Sequence, residues 1–502
     1  MALRDASVVI IENARTVVRA GLGLHELLKT PSVILQARVG LRRHASSSND
    51  FQTNTATVEN GASSSRASSL PFVVPSNASV NDYLVGTQLD DALAAGQDIA
   101  VSWPFADGGV RDWTQAEAIW KYVLFNQLQL RRAQNESPVL LSMYPGLSRD
   151  TYERTCQIFF ERFNVAGLGI LERPMAQLYA TTNLSGVVVD IEYDKTDITP
   201  IYDGFIQRPA CDTIPLGIRD CQNYLAQIFR SNQNIMNVLF PADSGSSPPT
   251  DEVVQETLLA LIKQLLEEGH IRVPSDGEIA IPEDDGVTDI AAIVVAGKEK
   301  AVIESGMKKK ANAKASAAEQ ARAREIEALD LITVQFRDKS LTLGKERHRL
   351  CEPLFDPNLL EAISRYGTTT PEERVSLQHA VGEAVRQVDI DMRQYIWQGL
   401  LVTGDLTRNV KGIAIALQSR LSPFIAQPEL QSDVQPRLIR VITLPEYYPE
   451  YRDTGVAFAA FLGSSIVAKL TFSDQHSKNF VSKADYSQKG PHAIIEMSPT
   501  LL

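Results

Sequence analysis

The stretch ERPMAQLYATTNLSGVVVDIEYDKTDITPIYDG, residues 172–204, decides the fold of this chain. Its β-branched run 187–189 predicts a strand buried on both faces, and the strand ends at Asp190. A second strand is predicted at 200–206 (PIYDGFI). The N-terminal run 7–11 (SVVII) is built alike, with Glu12 directly after it. Each stretch therefore combines a buried strand, a carboxylate at its end, a turn and a second strand.

Working outward, a further short strand is predicted at 400–402, and amphipathic helical patterns separate the strands. These patterns cover 114–130, 149–164, 219–232, 372–398 and 407–420. Strands interleaved with helices predict an α/β fold with mixed sheets. We find no tandem repeat at a spacing of 20–50 residues, which argues against a solenoid or a propeller.

The composition is that of a globular protein. The chain has 502 residues, 44% hydrophobic and 22% charged, and Lys+Arg minus Asp+Glu is 49 − 61 = −12. This length allows about three domains or one large two-lobed fold. Net acidity argues against a chain that coats nucleic acid. No apolar run approaches the roughly 20 residues of a membrane span, and the short run before Glu12 is no signal peptide, so we expect no membrane partner.

Cysteine and histidine usage predicts neither a disulfide framework nor a metal site. The four cysteines form no C-x-x-C pair, and the seven histidines are dispersed. A reducing compartment, cytosol or nucleus, fits best.

Two segments depart from the α/β pattern. Residues 45–70 are rich in Ser, Thr, Asn and Ala and are predicted to be disordered. Residues 243–330 begin with a Pro/Ser/Gly loop and an amphipathic helix at 251–268, and an acidic loop at 275–289 follows. The charged, alanine-rich run 297–328 then predicts a solvated helix, a partner-binding helix or, at Lys308–Lys310, a nuclear-import patch.

Six blocks, in order, resemble the actin family and together span well over half of the chain. They are 111–128, 138–164, 172–204, 341–357, 389–412 and 461–491. The resemblance implies the actin-like α/β fold of the actin/Hsp70/hexokinase ATPase superfamily. It has two lobes around a central nucleotide cleft, each lobe with a large and a small subdomain. For this chain it implies the following boundaries: 1–28, 99–180 and 450–502 for the first large subdomain; 29–98, with the insert 45–70, for the first small one; 181–216 and 363–449 for the second large one; and 217–362, with the insertion at about 243–330, for the second small one.

In this family two glycine-rich hairpin turns present backbone N–H groups to the phosphates, because only glycine lets the backbone come so close. The first turn here reads Glu12-Asn13-Ala14-Arg15-Thr16, so both glycines are replaced. The second keeps Asp190 but continues Ile191-Glu192-Tyr193-Asp194-Lys195. Carboxylates now stand where phosphate oxygens belong, and a like-charge pair at 4 Å costs about 4 kcal/mol near a protein surface.

The positions that support hydrolysis in the family are also altered. Arg173 replaces the glutamine that orients water, and Asp197 replaces a histidine. Gly404 remains on the adenosine side beside Asp405, and Tyr448 replaces a lysine near the base. The residues favour a degenerate cleft with no cofactor or only weak ATP binding; binding without hydrolysis and an active ATPase remain as alternatives. We expect no catalytic residue.

Family members also hold an amphipathic helix in a groove between the two large subdomains. Its positions in this chain are all aromatic or aliphatic: Tyr179, Leu184, Phe205, Val467 and Leu470. The alternative interpretation is that these residues are simply core. The serine-rich segment 45–70 and residues 81–100 replace the family's filament-forming loop in this chain. We therefore do not expect filament formation.

Three further strings look like the actin-related proteins of the fungal SWI/SNF and RSC chromatin remodellers. They are IENARTVVRAGLGLHELLKTPS, VTGDLTRNVKG and LPEYYPEYRDTGVAFAAFLGSSIVAKL. The resemblance implies a nuclear, non-catalytic scaffold that regulates transcription as a heterodimer with a second actin-related protein. It would dock on the helicase-SANT-associated helix of the remodeller ATPase, with a small accessory subunit as a further partner and only indirect contact with nucleosomal DNA. The alternatives are an ATP-binding actin-fold ATPase and a cytoskeletal actin-related protein that caps filaments.

Overall fold

The structure is a computed structural model that describes residues 8–24, 28–43, 78–241, 249–274, 330–366, 375–425, 438–473 and 479–498. The predicted disordered segment 45–70, the acidic loop 275–289 and the charged run 297–328 with Lys308–Lys310 lie outside the described residues.

The strands are β1 (Val9–Asn13), β2 (Val17–Leu22), β3 (Val33–Gln36), β4 (Val39–Arg42), β5 (Leu84–Val85), β6 (Ile99–Ser102), β7 (Pro138–Met143), β8 (Gly167–Glu172), β9 (Gly186–Ile191), β10 (Thr196–Tyr202), β11 (Phe205–Ile206), β12 (Asp212–Ile214), β13 (Ile332–Phe336), β14 (Lys339–Leu343), β15 (Leu400–Thr403) and β16 (Val481–Ser482). The helices are α1 (Thr87–Ala94), α2 (Trp113–Lys121), α3 (Arg149–Gln157), α4 (Arg173–Tyr179), α5 (Ile218–Ser231), α6 (Gln233–Leu239), α7 (Asp251–Glu267), α8 (Glu352–Phe355), α9 (Leu377–Arg386), α10 (Ile390–Trp397), α11 (Leu406–Asn409), α12 (Ile413–Arg420), α13 (Ala459–Ser473), α14 (Lys483–Lys489) and α15 (Ala493–Met497).

The chain forms two compact units. Unit 1 comprises 1–184, 203–208 and 443–502, and unit 2 comprises 185–202 and 209–442. The finer division into four subdomains stays a prediction.

Unit 1 is built on a mixed sheet with the strand order β16-β8-β7-β1-β2-β3. The strands β1, β7 and β8 run parallel, and β1 forms an antiparallel hairpin with β2. Every residue of β1, β7 and β8 is buried, as expected for strands covered on both faces. Because the carboxyl ends of parallel strands meet at one edge, the ends of β1, β7 and β8 bring Glu12, Tyr144 and Glu172 into one region.

Unit 2 contains a hairpin, β9–β10, of the same kind as the β1–β2 hairpin of unit 1. Strand β9 pairs antiparallel with β10 and parallel with β15, and β12 pairs with β10. All of β9 is buried, which confirms the strand predicted at 187–189. Helix α7 confirms the amphipathic pattern at 251–268: Thr250 caps its N-terminus, and its buried face includes Val254, Leu258 and Leu261.

The run Gly455–Ser473, which ends with α13, is 19 residues long with a mean hydropathy of 1.6. By length and composition it would suffice to cross a membrane, so the expectation that no apolar run approaches such a length was wrong here. In the structure 67% of that stretch is buried. Gly463 has no Cβ to block close packing, since a Cβ there would lie 1.7 Å from the carbonyl oxygen of Ala176 in α4. The apolar length thus serves packing inside unit 1.

Two predicted elements are divided in the structure. The strand predicted at 200–206 is divided: β10 ends at Tyr202, Asp203 (φ +48°) and Gly204 (φ +81°) adopt turn conformations, and β11 begins at Phe205. An Asp-Gly pair with two positive φ angles is typical of a hairpin turn. The helical pattern 372–398 forms α9 and α10, and the side chain of Arg393 donates to backbone carbonyl groups at the break.

Candidate functional site

The first candidate turn, residues 14–17, joins β1 to β2 in unit 1. Glu12 is fully buried, and its Oε1 lies 2.7 Å from Nη1 of Arg19 and 3.3 Å from Nε of Arg173. Both arginine side chains are at most 4% exposed. The carboxylate that family members use near the nucleotide is therefore held here by two buried guanidinium groups.

The backbone N–H groups of this turn have partners within the protein. The N–H of Ala14 donates to the carbonyl of Val17 at 2.9 Å, and the N–H of Arg15 donates to the hydroxyl of Tyr144 at 3.3 Å. A phosphate cradle needs such donors directed at the anion. Asn13 is also engaged, since its Oδ1 accepts a hydrogen bond from the indole of Trp120 at 3.3 Å.

Tyr144 is the centre of this arrangement. The Arg15 guanidinium carbon lies 4.3 Å from the centroid of its ring and that of Arg173 lies 5.5 Å away, so both are in cation–π range. Nη1 of Arg173 also donates to the Tyr144 hydroxyl at 3.4 Å. Arg173, the residue in place of the water-orienting glutamine, thus connects Glu12 with Tyr144 by direct contacts.

Tyrosines from 447–451 also belong to unit 1, and Tyr451 lies near Glu12. Tyr451 is 2% exposed and donates its hydroxyl to the carbonyl of Lys29 at 2.8 Å. Burial raises the pKa of Tyr451 well above its usual range, and the nearby charge of Glu12 adds to the shift. Tyr448 packs against Tyr447 and Tyr451, and burial raises its pKa to about 12. Neutral phenols therefore lie in the segment to which the resemblance assigns the family's lysine.

The second candidate turn, residues 192–195, joins β9 to β10 in unit 2. Asp190 is 3% exposed and lies opposite Asp197 in the β9–β10 register. Partners in an antiparallel pair share a face, so two carboxylates stand side by side where the resemblance places phosphate contacts. Glu192 is a second buried carboxylate in this stretch, whereas Asp197 is partly exposed. This concentration of negative charge disfavours another anion.

The turn 192–195 is fixed against the N-terminus of α5. The N–H of Glu192 donates to the carbonyl of Lys195. The carbonyls of Glu192 and Tyr193 accept the N–H groups of Ile218 and Arg219 at 3.0 and 2.9 Å. These helix N-terminal donors, which would suit an anion, are thus used by the turn itself. The side chain of Tyr193 is 42% exposed, and burial raises its pKa.

Gly404 is the glycine that the resemblance assigns to the adenosine side, and its geometry explains why it remains glycine. Its φ is +105°, and a Cβ there would lie 2.1 Å from the carbonyl oxygen of Ile191. The loop carrying Gly404 and Asp405 therefore packs directly on the end of β9. Glycine is required here for packing, so its presence is no evidence for a nucleotide.

The five predicted groove residues all belong to unit 1, and we call them the apolar face. Leu184, Phe205 and Leu470 are 54%, 66% and 71% exposed, so these three are not core. Val467 is buried at 9%, and Tyr179 is partly buried. The N–H of Gly204 donates to the carbonyl of Leu184 at 2.8 Å, which brings Phe205 beside Leu184. Val467 and Leu470 lie on α13, which packs on the helix that ends at Tyr179.

Two residues of the unit 1 site were not singled out from the sequence. They are Arg19, which contacts Glu12, and Tyr144. Tyr144 had a detectable signal: it directly follows a buried strand whose carboxyl end meets that of β1. Among the described residues no three His, Cys, Asp or Glu side chains lie close enough together to hold a metal ion.

Two strand–turn–strand hairpins, each with an acidic residue near the end of its first strand, characterise this α/β fold. The profile of the actin family matches residues 3–249 and 288–498, and the chain belongs to that family. Among curated proteins it is similar to the SWI/SNF and RSC complexes subunit arp9 of Schizosaccharomyces pombe. The two are 26% identical over 541 aligned residues, which cover 98% of each chain.

Proposed function

We propose that this chain is a non-catalytic, nuclear subunit of a chromatin-remodelling complex of the SWI/SNF or RSC type. It pairs with a second actin-related protein and uses its apolar face to bind the helicase-SANT-associated helix of the remodeller ATPase, without nucleotide turnover. Full-length similarity to a relative whose name places it in those complexes supports this proposal.

The non-catalytic part of the proposal rests on the backbone N–H groups of the two turns, which already donate hydrogen bonds within the protein. The N–H groups of Ala14, Arg15 and Glu192 donate to acceptors inside their own unit, and Glu12 is held by Arg19. Phosphoryl transfer depends on donors and charges positioned around the phosphates. Recruiting these amides to a phosphate would break existing hydrogen bonds, each of which contributes about 0.5–1.5 kcal/mol net.

The observation that supports helix binding is the exposure of Leu184, Phe205 and Leu470. An amphipathic helix binds such a face through apolar side chains spaced three or four residues apart. Burying one large side chain yields about 1.5–3 kcal/mol, so these three anchors contribute at most about 4.5–9 kcal/mol. That gain is comparable to the cost of association, so further contacts along the helix must supply the net affinity.

The proposal is tested by co-expressing the chain with the ATPase helix and a candidate second actin-related protein, followed by size-exclusion chromatography in nucleotide-free buffer. We expect one ternary peak. Leu470→Asp should remove the helix from that peak, because a carboxylate would be buried against apolar side chains.

The matched control is Ile415→Asp. Ile415 is also an exposed helical residue, at 53%, but belongs to unit 2. This variant should retain the helix. Loss of the helix from the peak in both variants, or its retention in both, contradicts the assignment of the apolar face. ATP turnover by the isolated chain would favour an ATPase instead, and co-sedimentation with actin filaments would favour a cytoskeletal role.

A further inference from the structure

Tyr179 is the member of the apolar face that carries a polar group. The side chains of the other four members, Leu184, Phe205, Val467 and Leu470, are purely apolar. Tyr179 ends α4 and is partly buried, whereas three of the other members are more than half exposed. The face therefore presents a single side-chain hydroxyl among apolar groups.

Contacts place Tyr179 beside both parts of the apolar face. Its helix, α4, packs on α13, which carries Val467 and Leu470. On the other side, a Cβ built on Gly204 would lie 3.5 Å from the hydroxyl oxygen of Tyr179, and Gly204 directly precedes Phe205. A helix bound to both parts of the face therefore lies against Tyr179.

The Tyr179 hydroxyl reaches the surface and has no hydrogen-bond partner among the described residues. The neighbouring N–H of Gly204 is used by the carbonyl of Leu184 at 2.8 Å. Burial raises the pKa of the Tyr179 phenol, so at neutral pH the hydroxyl is protonated and can both donate and accept a hydrogen bond. Its hydrogen-bonding capacity is therefore met by solvent while the face is uncovered.

Covering this hydroxyl constrains the helix that covers it. A hydroxyl that loses water and gains no partner is penalised more than a formed hydrogen bond is rewarded. A site built to hydrogen-bond a polar group therefore rejects a ligand that lacks the group, whereas apolar contacts discriminate weakly. Leu184, Phe205 and Leu470 accept any apolar side chain of suitable size, so they leave the register of the helix open. One polar contact among apolar ones fixes a register.

We propose that the Tyr179 hydroxyl is the specificity and register contact of the apolar face, and that it hydrogen-bonds one polar side chain on the apolar stripe of the bound helix. This inference deepens the proposed function and rests on it. The partner is an amphipathic helix whose apolar stripe is interrupted at one position by a side chain such as Asn, Gln, Ser or Glu. A uniformly apolar stripe buries the hydroxyl unpaired and binds less tightly.

The test is a double-mutant cycle between the full chain and fluorescent peptides of the ATPase helix. Each polar residue on the apolar side of the helix is replaced in turn by alanine, and each peptide is titrated with wild type and with Tyr179→Phe. Tyr179→Phe should weaken binding of the unaltered helix about tenfold, equivalent to 1.4 kcal/mol. Alanine at one helix position should weaken binding to wild type by a similar factor. It should cause no further loss in Tyr179→Phe, because both hydrogen-bonding groups are then absent.

Two controls separate recognition from destabilisation. Tyr179→Phe removes a hydroxyl that bonds to no described residue, so its urea unfolding midpoint should match that of wild type. Tyr395→Phe makes the same chemical change in unit 2, where Tyr395 is 46% exposed and packs against Tyr202. This variant should leave helix affinity unchanged.

Helix affinity within twofold of wild type in Tyr179→Phe would overturn the proposal, and so would losses that add at every helix position. In either case, loss of binding in Leu470→Asp would still show that the helix binds the apolar face, so the proposed function would stand. Failure of the wild-type chain to bind the helix at all would refute the proposed docking and this inference with it.

Discussion

Replacing Glu12 by glutamine removes a charge that contacts both Arg19 and Arg173. All three side chains are at most 4% exposed, and Oε1 of Glu12 lies 2.7 and 3.3 Å from the two guanidinium groups. Removing one partner of a buried ion pair costs about 3–5 kcal/mol, because the remaining charge is left uncompensated. With an m-value of about 3 kcal/mol per M, unit 1 should lose about 1–1.7 M in its urea midpoint.

The assay is urea unfolding followed by tryptophan fluorescence. Three of the four tryptophans, Trp103, Trp113 and Trp120, belong to unit 1, and Trp120 is hydrogen-bonded to Asn13 next to the site. A Trp397→Phe background removes the signal of unit 2, so the remaining transition reports on unit 1 alone.

The control is the double variant Glu12→Gln/Arg173→Gln, which removes one of the uncompensated guanidinium groups together with the carboxylate. It should be more stable than Glu12→Gln by about 1–2 kcal/mol, since neighbouring charges are not additive. A loss below about 1 kcal/mol in the single variant, or strictly additive losses, would refute the view that Glu12 is a structural member of a buried ion cluster.

Three further predictions concern unit 2 and the apolar face. Gly404→Ala should destabilise unit 2 by about 1–3 kcal/mol in urea unfolding, because alanine is strained at φ +105° and its Cβ meets the carbonyl of Ile191; Gly96→Ala, with a positive φ but open space around it, should cost less. His348 accepts the N–H of Arg272 through Nδ1 and contacts Asp330 through Nε2, and burial lowers its pKa. The folded state therefore binds a proton at His348 less readily than the unfolded state does, so the free energy of unfolding should fall as pH drops from about 6.5 through the lowered pKa. The free energy of unfolding is measured between pH 7.5 and 5.5 for wild type and His348→Gln. An equal pH dependence in both would contradict the prediction. Leu470→Asp should leave the free energy of unfolding in urea within about 0.5 kcal/mol of wild type, because the residue is 71% exposed. A larger loss would mean that loss of helix binding reports misfolding.

The parts of the fold that followed from sequence are those with strong local patterns. The run VVV at 187–189 and the amphipathic pattern of α7 gave the correct element types, since burial and periodicity act within a few residues. The strand predicted at 200–206 was correct at both ends, but the Asp203-Gly204 turn signal that divides it was missed. Residue-level resemblance assigned Glu12 and Arg173 to one cleft, and in the structure Nε of Arg173 lies 3.3 Å from Oε1 of Glu12.

What the sequence could not supply were the contacts made across long separations. The hydrogen bond from Arg15 to Tyr144 joins residues 129 positions apart, and the Arg173–Glu12 contact spans 161 positions. No periodic pattern encodes such pairs, because they arise only when β1, β7 and β8 assemble into one sheet. For the same reason no sequence pattern predicts the ion pair of Arg208 with Glu172, which are 36 positions apart.

The most direct measurement is the affinity of the chain and its partner actin-related protein for the ATPase helix, taken first after exhaustive removal of nucleotide with EDTA and then with saturating Mg-ATP. A helix-binding scaffold whose turn N–H groups are already hydrogen-bonded should bind the helix tightly without nucleotide. Its affinity should stay within twofold when Mg-ATP is added, and no ATP should be consumed. Helix binding that appears only with Mg-ATP, or that decays as the nucleotide is hydrolysed, would contradict it.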